Sequence, residues 1–226
     1  MLKAVIMDFD GLIIDTEVVW YELYKDWFKK NKNYQLSVQE FLTCVGSQDE
    51  DLFMELEKKQ KITVDRRQFK EEVTQGFIEQ SNQLPPKEGV VDFIQAVKCE
   101  GLKLALATSA TRKKPVSHLR RLGLMEYFDT IVTAEDVKRI KPFPDLFQEA
   151  ARQLAIAPSE ALVVEDSENG LNAGINAHMK VLVVPNEVTT ASNFCGYYKW
   201  AESLRTVRIS EIMAEFKEED EANAIG

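Results

Sequence analysis

Sulfur and imidazole are scarce in this sequence. Two histidines and three cysteines occur in 226 residues. Cys44, Cys99 and Cys195 are odd in number and widely spaced, without metal-ligand spacing. They read as reduced thiols of a cytoplasmic protein rather than a disulfide framework. His118 stands beside Arg120 and Arg121 and reads as solvated, and His178 reads as structural, so neither is a catalytic candidate. Positive charge is short as well: Lys+Arg is 28 against Asp+Glu 37, a net −9, which argues against nucleic acid as a partner. No apolar run approaches the length of a bilayer, and the opening Met-Leu-Lys-Ala-Val-Ile is too short for a signal peptide. A cytoplasmic location with no membrane partner is the expectation. No Gly-x-Gly-x-x-Gly follows a predicted strand, so a dinucleotide-binding dehydrogenase is not supported. Internal repeats and low-complexity segments are absent too.

What the chain has is an ordinary globular composition, 45% apolar and 29% charged, and one stretch of particular chemistry. Val5-Ile6-Met7-Asp8-Phe9-Asp10-Gly11 is an apolar run that ends in two aspartates and a glycine. Such runs are the buried strands of parallel sheets, whose carboxyl ends carry ligands in open α/β folds. Side chains two apart on a strand share a face, so Asp8 and Asp10 would present two carboxylates to one small volume. A hard divalent ion would offset them; the alternative is a strand running into an Asx-type turn.

Downstream, the pattern changes twice. After a loop at 11–16, with Asp15 or Thr16 as N-cap, residues 17–81 show helical periodicity and no strand-like run. The stripe Val18, Val19, Tyr21, Leu23, Tyr24, Trp27, Phe28 opens it, Ser37 with Glu40 makes a capping box, and Leu52, Phe53, Leu56 and Phe69, Val73, Phe77, Ile78 mark two more helices. The aromatic stripes read as core. Leu84-Pro85-Pro86 is a linker. Beyond it an α/β rhythm resumes: helix 89–100, strand 102–107, helix 111–122, strand 129–133, helix 145–154, strand 162–164, helix 168–177, strand 180–184, helix 209–216 and a frayed acidic tail from Lys217. The alternation predicts a parallel sheet with right-handed crossovers.

Polar groups close the predicted strands on one edge: Asp8 and Asp10, Thr108 and Ser109, Glu165 and Asp166, with Lys141-Pro142-Phe143-Pro144 after the short strand. Together they supply the parts of phosphoryl transfer. At these residues the sequence resembles the haloacid dehalogenase superfamily, closest to its branch of β-phosphoglucomutases and sugar-phosphate phosphatases. The resemblance rests on four motifs in order, Asp8-Phe9-Asp10-Gly11, Leu106-Ala107-Thr108-Ser109, Lys141-Pro142-Phe143-Pro144-Asp145 and Val164-Glu165-Asp166-Ser167-Glu168-Asn169-Gly170, and covers nearly the whole chain.

It implies a Rossmann-like α/β core at 1–15 and 84–226 with an all-helical cap inserted at 16–83, a Mg2+ cofactor, and a small phosphorylated substrate handled by a monomer. By the same resemblance Asp8 is the nucleophile that takes the phosphoryl group and Asp10 the acid and base. Thr108, the Ser109 amide and Lys141 hold or offset phosphoryl oxygens, and Asp8, the Asp10 carbonyl and Asp166 hold the metal with Glu165 in or beside the ligand set. Locally, Lys141 could instead be a surface lysine and Glu165-Asp166 an N-cap pair. An acid/base aspartate two residues after the nucleophile favours phosphate chemistry over carbon–halogen cleavage.

One departure bears on the reaction. Where the β-phosphoglucomutases carry Gly-x-x-Arg, this chain has Gly46-Ser47-Gln48-Asp49 followed by Glu50 and Asp51. Acidic groups there repel the second phosphate of a bisphosphate intermediate. The expectation is therefore a phosphatase, for a substrate with a neutral or cationic far end, ahead of a phosphate-moving isomerase. A phospho-aspartate receiver is a third reading, but receivers are shorter and have no helical insert. Tyr21, Tyr24, Gln48 and Gln75 are possible substrate contacts of the insert. The Arg112-Lys113-Lys114 run reads as a solvated helix start near the phosphate-holding loop, with substrate capture the lesser reading.

Overall fold

The computed structural model describes residues 1–225. Its centre is β1 (Ala4–Met7), buried on both faces because all four residues are apolar. Parallel neighbours are β2 (Lys103–Ala107) and β4 (Ala161–Glu165); β3 (Thr130–Val132) lies beyond β2, and β5 (Lys180–Val183) and β6 (Lys199–Trp200) lie beyond β4. The order is β3-β2-β1-β4-β5-β6, all parallel. Met7 is in register with Leu106 and Val164. The chain thus leaves three adjacent strands at one level, with Asp8, Thr108 and Glu165–Asp166 on that edge.

Alternation along the strands divides the core in two. Val5, Met7, Leu104, Leu106, Leu162 and Val164 face a cluster closed by α5 (Val90–Cys99), Leu119 of α6 (Lys113–Arg121) and Ile209, Ile212 and Phe216 of α9 (Ile209–Ile225). Ala4, Ile6, Ala105, Ala107 and Val163 face the other, closed by α7 (Asp145–Leu154) and α8 (Glu168–Asn176). Alanines on that face let α7 come close.

Between β1 and α5 runs the helical segment: α1 (Thr16–Lys32), the short α2 (Val38–Phe41), α3 (Asp49–Gln60) and α4 (Arg66–Ser81). It has its own apolar cluster, with Phe69 packed edge-on against Tyr24, Trp27 and Phe53 at centroid distances of 4.7, 4.8 and 4.9 Å. The Ser37–Glu40 capping box forms as expected. Val188, from the loop after β5, joins this cluster from the sheet side.

Several local expectations are corrected. The residues after Phe216 are helical, not frayed: α9 continues to Ile225, tied down by Glu215 to Lys199, Glu219 to Lys180 and Asp220 to the amino terminus. His118 is buried rather than solvated, 5.9 Å from the Phe9 ring and with its Nδ1 3.2 Å from Arg121. Asp15 precedes α1 without a side-chain cap, and the Thr16 hydroxyl is used elsewhere. Ile78 of the expected core stripe is exposed. The edge strand β6 has only two residues and gives no periodic signal.

Candidate active site

Asp8 follows β1 directly and is 6% exposed. Lys141, 133 residues away in sequence, reaches it: the ammonium bonds Asp8 Oδ1 and, at 2.5 Å, Glu165 Oε1. Lys141 is 1% exposed, so it is not the surface lysine that its Pro-x-Pro context allows. Glu165 ends β4, and its other oxygen accepts from the amides of Asp166 (3.0 Å) and Ser167 (3.2 Å) and from the Ser167 hydroxyl. Ser167, not the Glu165-Asp166 pair, is the N-cap of α8, accepting from the Gly170 amide at 3.0 Å. Asp166 Oδ2 accepts from Asn186 Nδ2 at 2.7 Å. Gly11, at φ +73°, leaves room for Asp166 and Asn186, and a Cβ there would overlap both.

Carboxylate oxygens of Asp8, Glu165 and Asp166 lie within 4.8 Å of one another. One ammonium offsets three buried carboxyl groups. Burial, opposed by Lys141 and reinforced by Glu165 and Asp10, pushes the Asp8 carboxyl up to about 8. Burial and then Glu165 and Asp8 push Asp166 well above the carboxylate range. Although burial opposes it, Asp8 and Glu165 hold Lys141 above the ordinary lysine value. A crowded, all-oxygen donor set with surplus negative charge fits a hard divalent cation. The Asp10 carboxylate is outside this cluster.

Asp10 instead meets a second set of groups. Its Oδ1 accepts from the Thr16 hydroxyl at 2.7 Å and pairs with Lys114 at 2.5 Å, while Thr16 accepts from the Gly11 amide. The sequence marks Thr16 only as a possible helix cap and Lys114 only within a basic run for which substrate capture is the lesser reading. The Lys114 ammonium also sits over the rings of Trp20 (5.6 Å) and Phe77 (4.6 Å), which stack on one another. The basic run at 112–114 is thus divided, with Lys114 turned into the site and Arg112 bonded to Asp136.

Thr108 is buried, its hydroxyl accepting from the Ala110 amide; the Ser109 hydroxyl donates to the Gly46 carbonyl of the helical segment at 3.0 Å. These groups border a cavity of about 190 Å³ between helices and sheet edge. On its near side are Asp8, Asp10, Thr108, Ser109 and Lys114. On its far side are Glu17, Trp20, Tyr24 and Asp49. Burial, with Asp10 next, pushes the Glu17 carboxyl up to about 8. Of the four polar residues singled out on the insert, Tyr24 lines the cavity; Tyr21 donates weakly to Leu36, Gln75 bonds Glu79, and Gln48 is exposed at the start of α3, outside the cavity lining.

A sequence profile described as haloacid dehalogenase-like hydrolase matches residues 5–184. The chain belongs to this family. It is 36% identical over 220 residues to a putative phosphatase, YhcW, of Bacillus subtilis strain 168, covering 94% of this chain and 97% of that one. It is 32% identical over 179 residues to a phosphorylated carbohydrates phosphatase of Thermotoga maritima, covering 78% and 82%. Among solved structures, β-phosphoglucomutase from Clostridium difficile superposes with a TM-score of 0.77 at 23% identity, covering 96% of this chain and 98% of that one, a likeness of fold. Among the described residues no helix is long and apolar enough to cross a membrane.

Proposed function

We propose that this chain is a Mg2+-dependent phosphatase that hydrolyses a small phosphorylated carbohydrate through a phosphoryl group carried on Asp8. The observation that carries the reading is the meeting of Asp8, Lys141, Glu165 and Asp166 at one sheet edge, with Asp10 sharing the cavity that Asp8 borders. The names of the two phosphatase relatives agree with it.

The chemistry follows from the placement. Asp8 acts as a nucleophile in its ionised form, which the Lys141 ammonium favours against burial and which a divalent cation at the site would favour further. Asp8 attacks phosphorus while the ester P–O bond breaks, and Asp10 delivers a proton to the leaving alcohol oxygen. Water then attacks the phosphoryl-Asp8 phosphorus, giving its proton to Asp10 and freeing Asp8 and phosphate. Lys141 offsets charge gathered between Asp8 and the phosphoryl oxygens, which the Thr108 hydroxyl and Ser109 amide hold. Thr16 and Lys114 fix the Asp10 carboxyl in place. Asp8, Asp166 and the Asp10 carbonyl would hold the Mg2+, with Glu165 adjoining, and the ion would supply electrostatic stabilisation of the phosphoryl oxygens.

The test is phosphate release from a panel of phosphorylated sugars and sugar alcohols, with and without Mg2+, by the wild type and by Asp8→Asn. Release that needs Mg2+ and is lost in the variant is expected. The panel includes β-glucose 1-phosphate with a readout for glucose 6-phosphate; conversion without free phosphate would establish the isomerase instead.

A further inference from the structure

Glu17 takes no part in the chemistry just described, yet it is 7% exposed and lines the cavity. It stands in the first turn of α1, where a carboxylate suits the helix dipole. That effect does not require burial, and glutamate is almost never fully buried unless paired. Among the described residues no hydrogen-bonding partner reaches its carboxyl group, which leaves an acceptor open to the cavity.

Asp49, the first residue of α3, lines the same cavity and takes a 2.6 Å bond from the Tyr24 hydroxyl. The two ammonium groups nearest the reacting edge are engaged, Lys141 by Asp8 and Glu165 and Lys114 by Asp10. Whatever alcohol the phosphoryl group is attached to therefore meets carboxyl groups and the rings of Trp20 and Tyr24. A second phosphate or a carboxylate in that place would find both ammonium groups already engaged and would supply no donor to Glu17. A hydroxyl or an ammonium would complete it.

We propose that Glu17 and Asp49 form a leaving-group subsite that selects phosphate monoesters bearing hydrogen-bond donors and no second anion. The inference rests on the phosphatase reading and narrows its substrates.

The test uses matched pairs that exchange a donor for an anion at one carbon: glycerol 3-phosphate against 3-phosphoglycerate, and phosphoethanolamine against phosphoglycolate. Fructose 6-phosphate against fructose 1,6-bisphosphate adds a second phosphate, and p-nitrophenyl phosphate reports the chemistry without any donor. The expected kcat/KM within each pair favours the donor by at least about a hundredfold. The glycerol and ethanolamine arms show whether hydroxyl or ammonium is the better donor. In Glu17→Gln and in Asp49→Asn the ratio should shrink about tenfold or more, whatever happens to overall rates; Asp49 is exposed enough for its variant to fold. Equal use of both members of each pair by the wild type, or ratios unmoved in both variants, would overturn the subsite while release from p-nitrophenyl phosphate still upholds the phosphatase. No metal-dependent release from any ester sinks both.

Discussion

Replacing Gly170 by alanine sets two effects of opposite sign against each other. Gly170 lies in the first turn of α8, where alanine is favoured over glycine by about 1 kcal/mol. A Cβ at this position, however, would fall on the Glu165 carboxylate, far inside the 3.0 Å that real Cβ atoms keep. Overpacking of this kind costs about 1–3 kcal/mol, which alone roughly cancels the helical gain. Glu165 cannot yield without loss, because its oxygens are bound to Lys141, to the amides of Asp166 and Ser167 and to the Ser167 hydroxyl. Bonds to a charged acceptor contribute about 1.5–3 kcal/mol each. Losing one gives a net destabilisation of about 3 kcal/mol, or roughly 6–12 °C in Tm for a chain of this size. Thermal unfolding of wild type and variant, followed by circular dichroism, reads the difference, and phosphate release should fall with it as Lys141 loses a partner. A variant with raised Tm and unchanged turnover would behave as an ordinary helical Gly→Ala and refute the close approach.

Two further outcomes follow from residues outside the motifs. Lys114→Gln removes the ammonium from Asp10 and from the face of Trp20 and Phe77; kcat/KM should fall about ten- to hundredfold, the equivalent of one charge-assisted bond, and an unchanged value would show the pair to be idle during turnover. His118 is held below its ordinary value of 6.5, first by burial and then by Arg121 and Lys114. The unfolded chain therefore takes up the proton more readily, and the native state loses stability as pH falls below 6.5. His118→Asn should show a shallower decline of Tm with pH over that range, and superimposable acid limbs would contradict it.

Much of the fold could be read from residues in order because the signals were local. Helix α7 has the bounds its amphipathic pattern predicts, the Ser37–Glu40 box forms, and the apolar run at Ala4–Met7 is the central strand. The strand-end groups could be read because a parallel sheet brings its carboxyl ends to one edge. Residues whose roles depend on distant partners were silent. Lys114 belongs to a basic run on a helix start, which in sequence is a solvated surface, and only the fold, which sets His118 of α6 against Phe9, turns it toward Asp10. Asn186 follows a proline and looks like a turn residue; its amide reaches Asp166 only after β5 sets that turn beside β4. His118 was misread because its arginine neighbours dominate the local pattern, whereas burial is decided by Phe9 from another part of the chain. Glu17 gave no sign of being buried, since a first-turn glutamate is common on exposed helices.

Two of the contacts that join the helical segment to the sheet edge lie on one loop. Ser109, from the end of β2, donates to the Gly46 carbonyl, and Asn169, from α8, donates to the Val45 carbonyl at 2.8 Å. Gly46 has φ +74°, and a Cβ there would lie 2.5 Å from the Ser167 hydroxyl, so the loop needs glycine to come this close. Both acceptors are backbone groups, which ties closure to the shape of the loop. Neutral bonds of this kind contribute about 0.5–1.5 kcal/mol each, so the pair contributes about 1–3 kcal/mol to docking this loop on the sheet edge, beside the contacts of Val188 with the helical segment's apolar cluster and of Lys114 with Trp20 and Phe77. Asp49, three residues after Gly46, lines the same cavity that Thr108 and Ser109 border. In the proposed function the residue that reads the leaving alcohol and the residues that hold the phosphoryl oxygens are joined through two hydrogen bonds to adjacent carbonyls, those of Val45 and Gly46, which would let recognition at the far side of the cavity be felt at the phosphoryl side without any long chain of contacts.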